Sequence, residues 1–216
     1  MKALSFRLIN LVVGTVLFAV GIVLTIKANV GYAPWEVFHV GFALTTGISI
    51  GVASIVAGIV IVVFVTISGE KIGLGTIVSM VLTGIIIDLI ILSDVIPLAT
   101  NIAVGITMLV FGLFILSVGT YFYMKSAFGA GPRDNLMVVL NRKTRFPIGV
   151  CRGLVELSVT IIGWFLGGMV GIGTLISVVA VGFCIQITFK IFKFNAAEVE
   201  HETIIQTFRT IRGHRV

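Results

Sequence analysis

The chain has 216 residues, of which 58% are hydrophobic and 11% charged, and its formal net charge is +6. This balance excludes a water-soluble globular domain, because too few charged side chains remain to cover a solvated surface. The basic residues are scattered at the ends of apolar stretches and in the C-terminal tail, so we expect no nucleic-acid partner. We predict an all-α, polytopic membrane protein whose first partner is the lipid bilayer.

Six apolar stretches approach the roughly 20 residues that a helix needs to cross the hydrocarbon core of a bilayer. In chain order they cover residues 8–26, 50–67, 72–92, 102–124, 148–166 and 171–189. The first stretch follows two basic residues, as a secretion signal would. It is longer than the usual apolar region of a signal and lacks a small-residue cleavage site, so we interpret it as a retained helix.

A shorter segment, at about residues 34–46, is too apolar for a solvated loop and too short to cross a bilayer, and the second copy repeats its pattern at about residues 132–143. Pro34 and Pro132 suit the first helical position. Glu36 and Asp134 fall in the first turn, where a carboxylate complements free backbone N–H groups. We predict two short helices that lie in the membrane interface or dip into the membrane from opposite faces.

Residues 14–88 recur at residues 112–186 without a gap, at a constant offset of 98. Eight glycines align in register, whereas the glycine content of the chain would align about one by chance. Other matched positions carry proline, acidic or hydroxyl side chains: Pro34 with Pro132, Glu36 with Asp134, Thr76 with Thr174, and Ser79 with Ser177. The chain is therefore an internal duplication.

With a cytoplasmic N-terminus, six spans put 14 of the 15 basic residues on the cytoplasmic side, as the positive-inside bias predicts. Each copy holds three spans, an odd number, so the second copy enters from the opposite face and the repeats are inverted. We divide the chain into a first membrane repeat (residues 1–100), a second (101–193) and a cytoplasmic tail helix (194–216). Both termini are then cytoplasmic.

A rival topology treats the segments after Pro34 and Pro132 as full spans, which gives eight helices and parallel repeats. It leaves Lys27, Lys71 and Lys125 on the outer side, against the positive-inside bias. We therefore favour six spans.

The run IKANVGYAPWE at residues 26–36, its partner FGAGPRD at 128–134 and the later GIGTLI at 171–176 resemble the YczE/YyaS/YitT group of bacterial membrane proteins. The likeness extends to about Phe192 and is specific in the order and spacing of the motifs. Glu36 stands where an aspartate is more usual, which keeps the charge. The resemblance implies a multi-pass protein of the bacterial cytoplasmic membrane and no settled substrate.

Ionisable side chains at membrane depth are costly, so each is a candidate for function. If the loops before Pro34 and Pro132 dip inward, two helix N-termini would face one another and form a polar centre. Trp35 and Arg133 are equivalent positions, and an aromatic ring beside a guanidinium could hold an organic anion or zwitterion. The predicted substrate site is Pro34, Trp35, Glu36, His39, Pro132, Arg133, Asp134 and Asn135. In the alternative, the carboxylates only cap their own helices and Arg133 anchors to lipid headgroups.

Three further ionisable residues are candidates for gating or ion coupling. Arg152 and Glu156 are four residues apart on the fifth span, hence on one face and close enough to pair. Their equivalents, Ser54 and Gly58, are uncharged. Asp88 lies near the outer end of the third span. In the alternative interpretation, the pair only holds helices together and Asp88 reaches the interface.

The predicted function is transport of a small molecule through a central site between inverted repeats. Two other classes stay open: a non-transporting accessory or regulatory protein that acts through a partner complex, and the substrate-binding subunit of a multi-component importer. We expect no enzymatic activity, metal or cofactor, since the chain has neither metal-ligand spacing nor a nucleophile motif. The spacing of Gly163 and Gly167 could mediate a homodimer or packing within one chain.

Overall fold

The structure, a computed structural model, describes residues 2–129 and 131–195, together with Val199, Glu202 and Gln206. Within these residues there are eight α-helices and no strand: α1 (Lys2–Lys27), α2 (Pro34–Thr46), α3 (Ile50–Ile67), α4 (Leu74–Ser93), α5 (Ile102–Lys125), α6 (Pro132–Thr144), α7 (Ile148–Phe165) and α8 (Ile172–Ile191). The all-α prediction is confirmed. Most of the predicted tail helix lies outside the described residues.

Six of the helices in this part of the chain are long and apolar enough to cross a membrane: α1, α3, α4, α5, α7 and α8. They coincide with the predicted spans to within a few residues at most ends, so the six-span prediction is confirmed. Large apolar side chains cover their outer faces, and Val60, Leu89, Phe111 and Trp164 are between 59% and 64% exposed. Soluble monomers rarely expose so large an apolar surface. The chain is an integral membrane protein, and this surface contacts lipid.

Local sequence determines where the helices begin and end. Ser49 and Asn101 precede α3 and α5, and their side-chain oxygens accept hydrogen bonds from the backbone N–H groups of Val52 and Val104. α2 ends at Thr46, and the next residue, Gly47, has a φ of 76°, a conformation that glycine adopts without strain. With 13 residues, α2 is about 20 Å long. It is therefore too short to cross the bilayer.

The duplication is visible in the helix boundaries. α2, α3 and α4 each begin and end 98 residues before α6, α7 and α8. Each copy therefore consists of a long first helix, a short helix and two further spanning helices.

α1 and α5 pack along each other through glycines at equivalent positions of the two copies. A Cβ atom on Gly14 would overlap the carbonyl oxygen of Gly119, and one on Gly21 would overlap that of Gly112. The earlier position on α1 meets the later position on α5, so the two helices run antiparallel.

Two backbone hydrogen bonds join the copies at equivalent positions. The N–H of Gly173, at the start of α8, donates to the carbonyl of Val30 over 2.7 Å. The N–H of Gly75, at the start of α4, donates to the carbonyl of Phe128 over 2.9 Å. A glycine with positive φ, 108° or 137°, follows each acceptor and permits the close approach. These glycine-rich segments therefore tie each copy to the other.

The copies differ in how their last two helices pack. In the first copy a Cβ on Gly84 would lie 2.5 Å from Cγ1 of Ile55 and 2.6 Å from the carbonyl oxygen of Gly51, so α3 lies directly against α4. At the equivalent Gly182 and Gly149, an added Cβ would meet no neighbouring heavy atom of the described chain within 4 Å. The second copy is therefore open between α7 and α8, where the first copy is closed.

α7 packs instead on α2. A Cβ on Gly163 would overlap the backbone of Phe38, and one on Gly41 would overlap the carbonyl oxygen of Gly163. Gly163 is thus used for packing within one chain, which is one of the two roles that its spacing with Gly167 left open.

Gly84→Ala and Gly182→Ala form a matched pair at equivalent positions of the two copies. We expect Gly84→Ala to lower the thermal unfolding midpoint in detergent by a few degrees, because the added methyl overpacks the α3–α4 contact at about 1–3 kcal/mol. Gly182→Ala should leave the midpoint unchanged or raise it, since removing a helical glycine gains roughly 0.5–1 kcal/mol. Equal destabilisation by both changes in a fluorimetric melt would contradict the asymmetric packing.

Candidate functional site

A partly enclosed cavity of about 200 Å³ lies between the two copies, and all eight helices contribute to its wall. Of the 29 described residues that line it, 24 form 12 pairs related by the 98-residue offset. The cavity therefore belongs to the interface between the copies and to neither copy alone.

α2 and α6 both begin at this cavity. Pro34 and Pro132 occupy their first turns, and the N-cap residues Ala33 and Gly131 provide no side-chain hydrogen bond to the free backbone N–H groups. All four of these residues line the cavity. The N-termini therefore direct partial positive charge and backbone N–H groups toward the cavity.

The equivalent residues Trp35 and Arg133 meet across the interface. The Arg133 guanidinium carbon lies 4.5 Å from the centre of the Trp35 ring, and its Nη2 lies 3.8 Å from Oε1 of Glu36. The guanidinium is therefore held by an aromatic face and a carboxylate of the other copy. The structure places Arg133 here, at the cavity.

Four residues that line the cavity each have a buried polar atom without a hydrogen-bond partner among the described residues: Oε1 of Glu36, Nδ1 of His39, Oη of Tyr123 and Oγ of Ser177. These residues are between 0% and 8% exposed. Leaving such a group unpaired costs about 1–3 kcal/mol. Buried groups of this kind are typical of positions that bind a ligand or an ordered water.

The ionisation of Glu36 and His39 follows from their burial in α2, which lies outside the six spanning helices. Burial raises the pKa of Glu36, and the Arg133 guanidinium offsets part of that rise. Burial lowers the pKa of His39 well below its usual value, and the charge of Arg133 adds to the effect. His39 is therefore neutral near pH 7, and Glu36 keeps a proton to higher pH than an exposed glutamate does.

A second ion pair lines the cavity from α7. Nε of Arg152 donates to Oε1 of Glu156 over 2.8 Å, as the spacing of four residues predicts. Glu156 is buried, whereas the Arg152 side chain is 43% exposed. The pairing is confirmed, and a role in gating stays a prediction.

The remaining predicted residues divide between the cavity and its surroundings. Asp134 lines the cavity and is exposed, whereas Asn135 is absent from the lining. Asp88 lies outside the cavity: it accepts hydrogen bonds from Oγ of Ser49 over 2.5 Å and from the N–H of Gly51 over 2.7 Å. Asp88 thus ties α4 to the start of α3, and its role in ion coupling stays a prediction.

Hydroxyl residues of the spanning helices also line the cavity, and sequence reasoning did not assign them to the site: Thr15, Ser54, Ser79, Thr83, Thr120 and Ser177. Single hydroxyls in apolar helices are common in helix packing, so they carry little signal. Ser79 and Ser177 could have been found, because the 98-residue offset aligns them. For Tyr123, which also lines the cavity, no such signal exists.

Among the residues that the structure describes, no group of three or more His, Cys, Asp or Glu side chains lies close enough to hold a metal ion. The cavity offers two guanidinium groups, three carboxylates, hydroxyls and an aromatic face. This set is suited to binding a small polar solute.

The coupling between Glu36 and Arg133 can be measured by a double-mutant cycle. The single variant Arg133→Gln should be less stable than the double variant that carries both Glu36→Gln and Arg133→Gln. The single change leaves a buried carboxylate without its cation, whereas the double change removes both charges. We expect a coupling free energy of about 0.5–3 kcal/mol, measured by SDS-induced unfolding in mixed micelles at pH 8. Additive effects of the two changes would contradict the contact.

Comparison with known proteins identifies the family. Residues 5–190 match the model of a family of unknown function, DUF6198. The chain is 30% identical over 177 residues to the uncharacterised membrane protein YczE of Bacillus subtilis (strain 168), covering 80% of each chain. It is 28% identical over 184 residues to an uncharacterised protein of Haemophilus influenzae, covering 83% of this chain and 84% of the relative.

The uncharacterised protein YyaS of Bacillus subtilis is 27% identical to the chain over 183 residues, covering 83% of this chain and 90% of the relative. No solved structure matches the chain. The predicted resemblance to the YczE/YyaS/YitT group is confirmed. Because the family model covers most of its length, the chain belongs to the DUF6198 family.

Proposed function

We propose that this protein transports a small polar solute across the membrane by alternating access to the central cavity. The observation that carries the proposal is the cavity itself, which lies between duplicated copies and is lined by equivalent residues of both. Secondary transporters bind their substrates at such repeat interfaces, beside the N-termini of short or broken helices. The proposal assigns binding and passage of a solute to the cavity, with no covalent step.

We further infer that the two repeats are inverted in the bilayer. Parallel repeats would require α1 and α5 to cross in the same direction, whereas their glycine contacts run antiparallel. The 13-residue lengths of α2 and α6 also favour six spans over eight. Both observations support the inverted topology and disfavour the rival one.

The charged contacts support an orientation with cytoplasmic termini in the bacterial cytoplasmic membrane. Arg7 binds the carbonyl of Ser126 over 2.8 Å, and Arg142 pairs with Glu70 over 2.7 Å. In the inverted topology both contacts lie at the end of the bundle where α1 begins. The positive-inside bias assigns that end to the cytoplasm.

The difference between the copies supports alternating access. In an inverted-repeat transporter, one repeat or bundle rocks against the other around a fixed site. Here α3 is closed on α4 through Gly51 and Gly84, while α7 and α8 are apart. The equivalent Gly149 and Gly182 leave room for α7 and α8 to close in the same way, which would give the opposite state.

Transport can be tested before the substrate is known. Vesicles reconstituted with the full chain are incubated with an aqueous extract of bacterial metabolites, washed, and analysed by mass spectrometry. We expect at least one compound to accumulate relative to empty vesicles. Its accumulation should fall at least tenfold in Glu36→Gln with Asp134→Asn, because both carboxylates line the cavity.

The matched control is Glu70→Gln, which changes a carboxylate that pairs with Arg142 outside the cavity. It should accumulate the compound like the unchanged protein, since exposed ion pairs contribute little to stability. Normal accumulation in the double variant would reject the cavity as the site. If no compound accumulates in vesicles that hold the unchanged, folded protein, the transport function is rejected.

A further inference from the structure

The ionisable groups of the cavity do not balance. Glu36, Asp134 and Glu156 carry three negative charges when ionised, whereas Arg133 and Arg152 carry two positive charges. No other Lys, Arg, Asp or Glu lines the cavity among the described residues. When all five are ionised, these side chains sum to −1, and the N-termini of α2 and α6 add partial positive charge.

A buried carboxylate oxygen that lacks a hydrogen-bond donor is costly in surroundings of low dielectric constant. A proton on that oxygen, or a bound cation with an N–H group, removes the cost, whereas a bound organic anion would place a second negative charge beside it. The missing donor therefore favours a ligand with a cationic group over the organic anion that the sequence alone also allows.

Glu36 is the carboxylate best suited to receive that charge. Glu156 already accepts a hydrogen bond of 2.8 Å from Arg152, and Asp134 is exposed, so water screens its charge. The Glu36 side chain is only 4% exposed, and Nη2 of Arg133 lies 3.8 Å from its Oε1, beyond hydrogen-bond distance. Oε1 of Glu36 therefore lacks a donor among the described residues.

The rest of the wall favours an organic cation over a metal ion. Calcium binding takes six to eight oxygen ligands, and magnesium near-ideal octahedral coordination. Here Phe18, Leu113 and Leu116 contribute apolar wall beside the polar groups. His39 and Ser177 each add an unpartnered buried atom that can accept a hydrogen bond from an N–H group.

We infer that Glu36 binds a small organic ammonium ion and that a proton occupies the same carboxylate when the ammonium is absent. Substrate and proton then compete for one site. This inference rests on the proposed function and names the substrate class of its cavity.

Competition with a proton depends on every charged or titratable group that faces the cavity. His39 faces it from α2, Tyr123 from α5, Arg133 and Asp134 from α6, and Arg152 and Glu156 from α7. The described parts of α1, α3, α4 and α8 contribute hydroxyl, apolar and thioether side chains. Among the described residues that line the cavity, only Glu36 combines full burial with a carboxylate oxygen that lacks a donor.

The test measures binding to the full chain in lipid nanodiscs by titration calorimetry. The probes are benzylammonium and methylammonium, with benzyl alcohol and benzoate as neutral and anionic counterparts of the first. We expect the ammonium ions to bind more tightly as pH rises, by up to tenfold per pH unit while Glu36 is mostly protonated. At low pH the ligand must displace a proton, so binding should release about one proton.

Glu36→Gln should weaken ammonium binding at least tenfold and remove its pH dependence. Glu36→Asp keeps the charge and should keep the pH dependence, which covers the case in which the glutamine variant does not fold. Glu70→Gln, outside the cavity, is the matched control and should bind like the unchanged protein.

The inference is overturned if benzoate binds more tightly than benzylammonium, if neither ammonium ion binds, or if the pH dependence survives Glu36→Gln. Binding and transport can fail separately. Glu36-dependent ammonium binding without accumulation of any solute in vesicles would keep the cation site and reject transport. Accumulation of an anion would keep transport and reject the cation site.

Discussion

The close antiparallel contact between α1 and α5 is the constraint on which the rest of the structure depends. Gly14 and Gly21 of the first copy approach Gly119 and Gly112 of the second so closely that a methyl group would overlap a carbonyl oxygen. Small residues permit such contacts in lipid, where dispersion between backbones replaces the hydrophobic effect as the driving force. This contact sets the copies face to face, so their short helices begin at one shared cavity.

That cavity joins two features that are costly in a membrane: helix N-termini without side-chain caps and, among the described residues, five Asp, Glu and Arg side chains. Part of the cost is offset within the protein, since Arg152 pairs with Glu156 and Arg133 lies over Trp35. The cost of burying the Glu36 carboxylate is offset least, because its Oε1 is buried and lies 3.8 Å from Nη2 of Arg133. A buried carboxylate of this kind lowers the stability of the fold, and such unfavourable positions are typical of binding sites.

Much of this arrangement could be predicted from sequence because it depends on periodicity and on backbone chemistry. The length of the apolar stretches predicts the six spans, and the prolines predict where α2 and α6 begin. The spacing of four residues predicts the pair of Arg152 and Glu156. The open space between α7 and α8 could not be predicted. Gly84 and Gly182 are the same residue in the same register, and only their neighbours differ. The cap that Asp88 provides to α3 also depends on tertiary packing.

The relative orientation of the two copies in the bilayer is tested most directly by labelling Thr46→Cys and Thr144→Cys, each in a chain with Cys151 and Cys184 replaced by serine. These equivalent, exposed positions end α2 and α6, and both native cysteines are buried. A membrane-impermeant maleimide is applied to cells and to inverted vesicles. The inverted topology predicts that Thr46→Cys reacts from outside and Thr144→Cys from the cytoplasmic side. Labelling of both from the same side would contradict it.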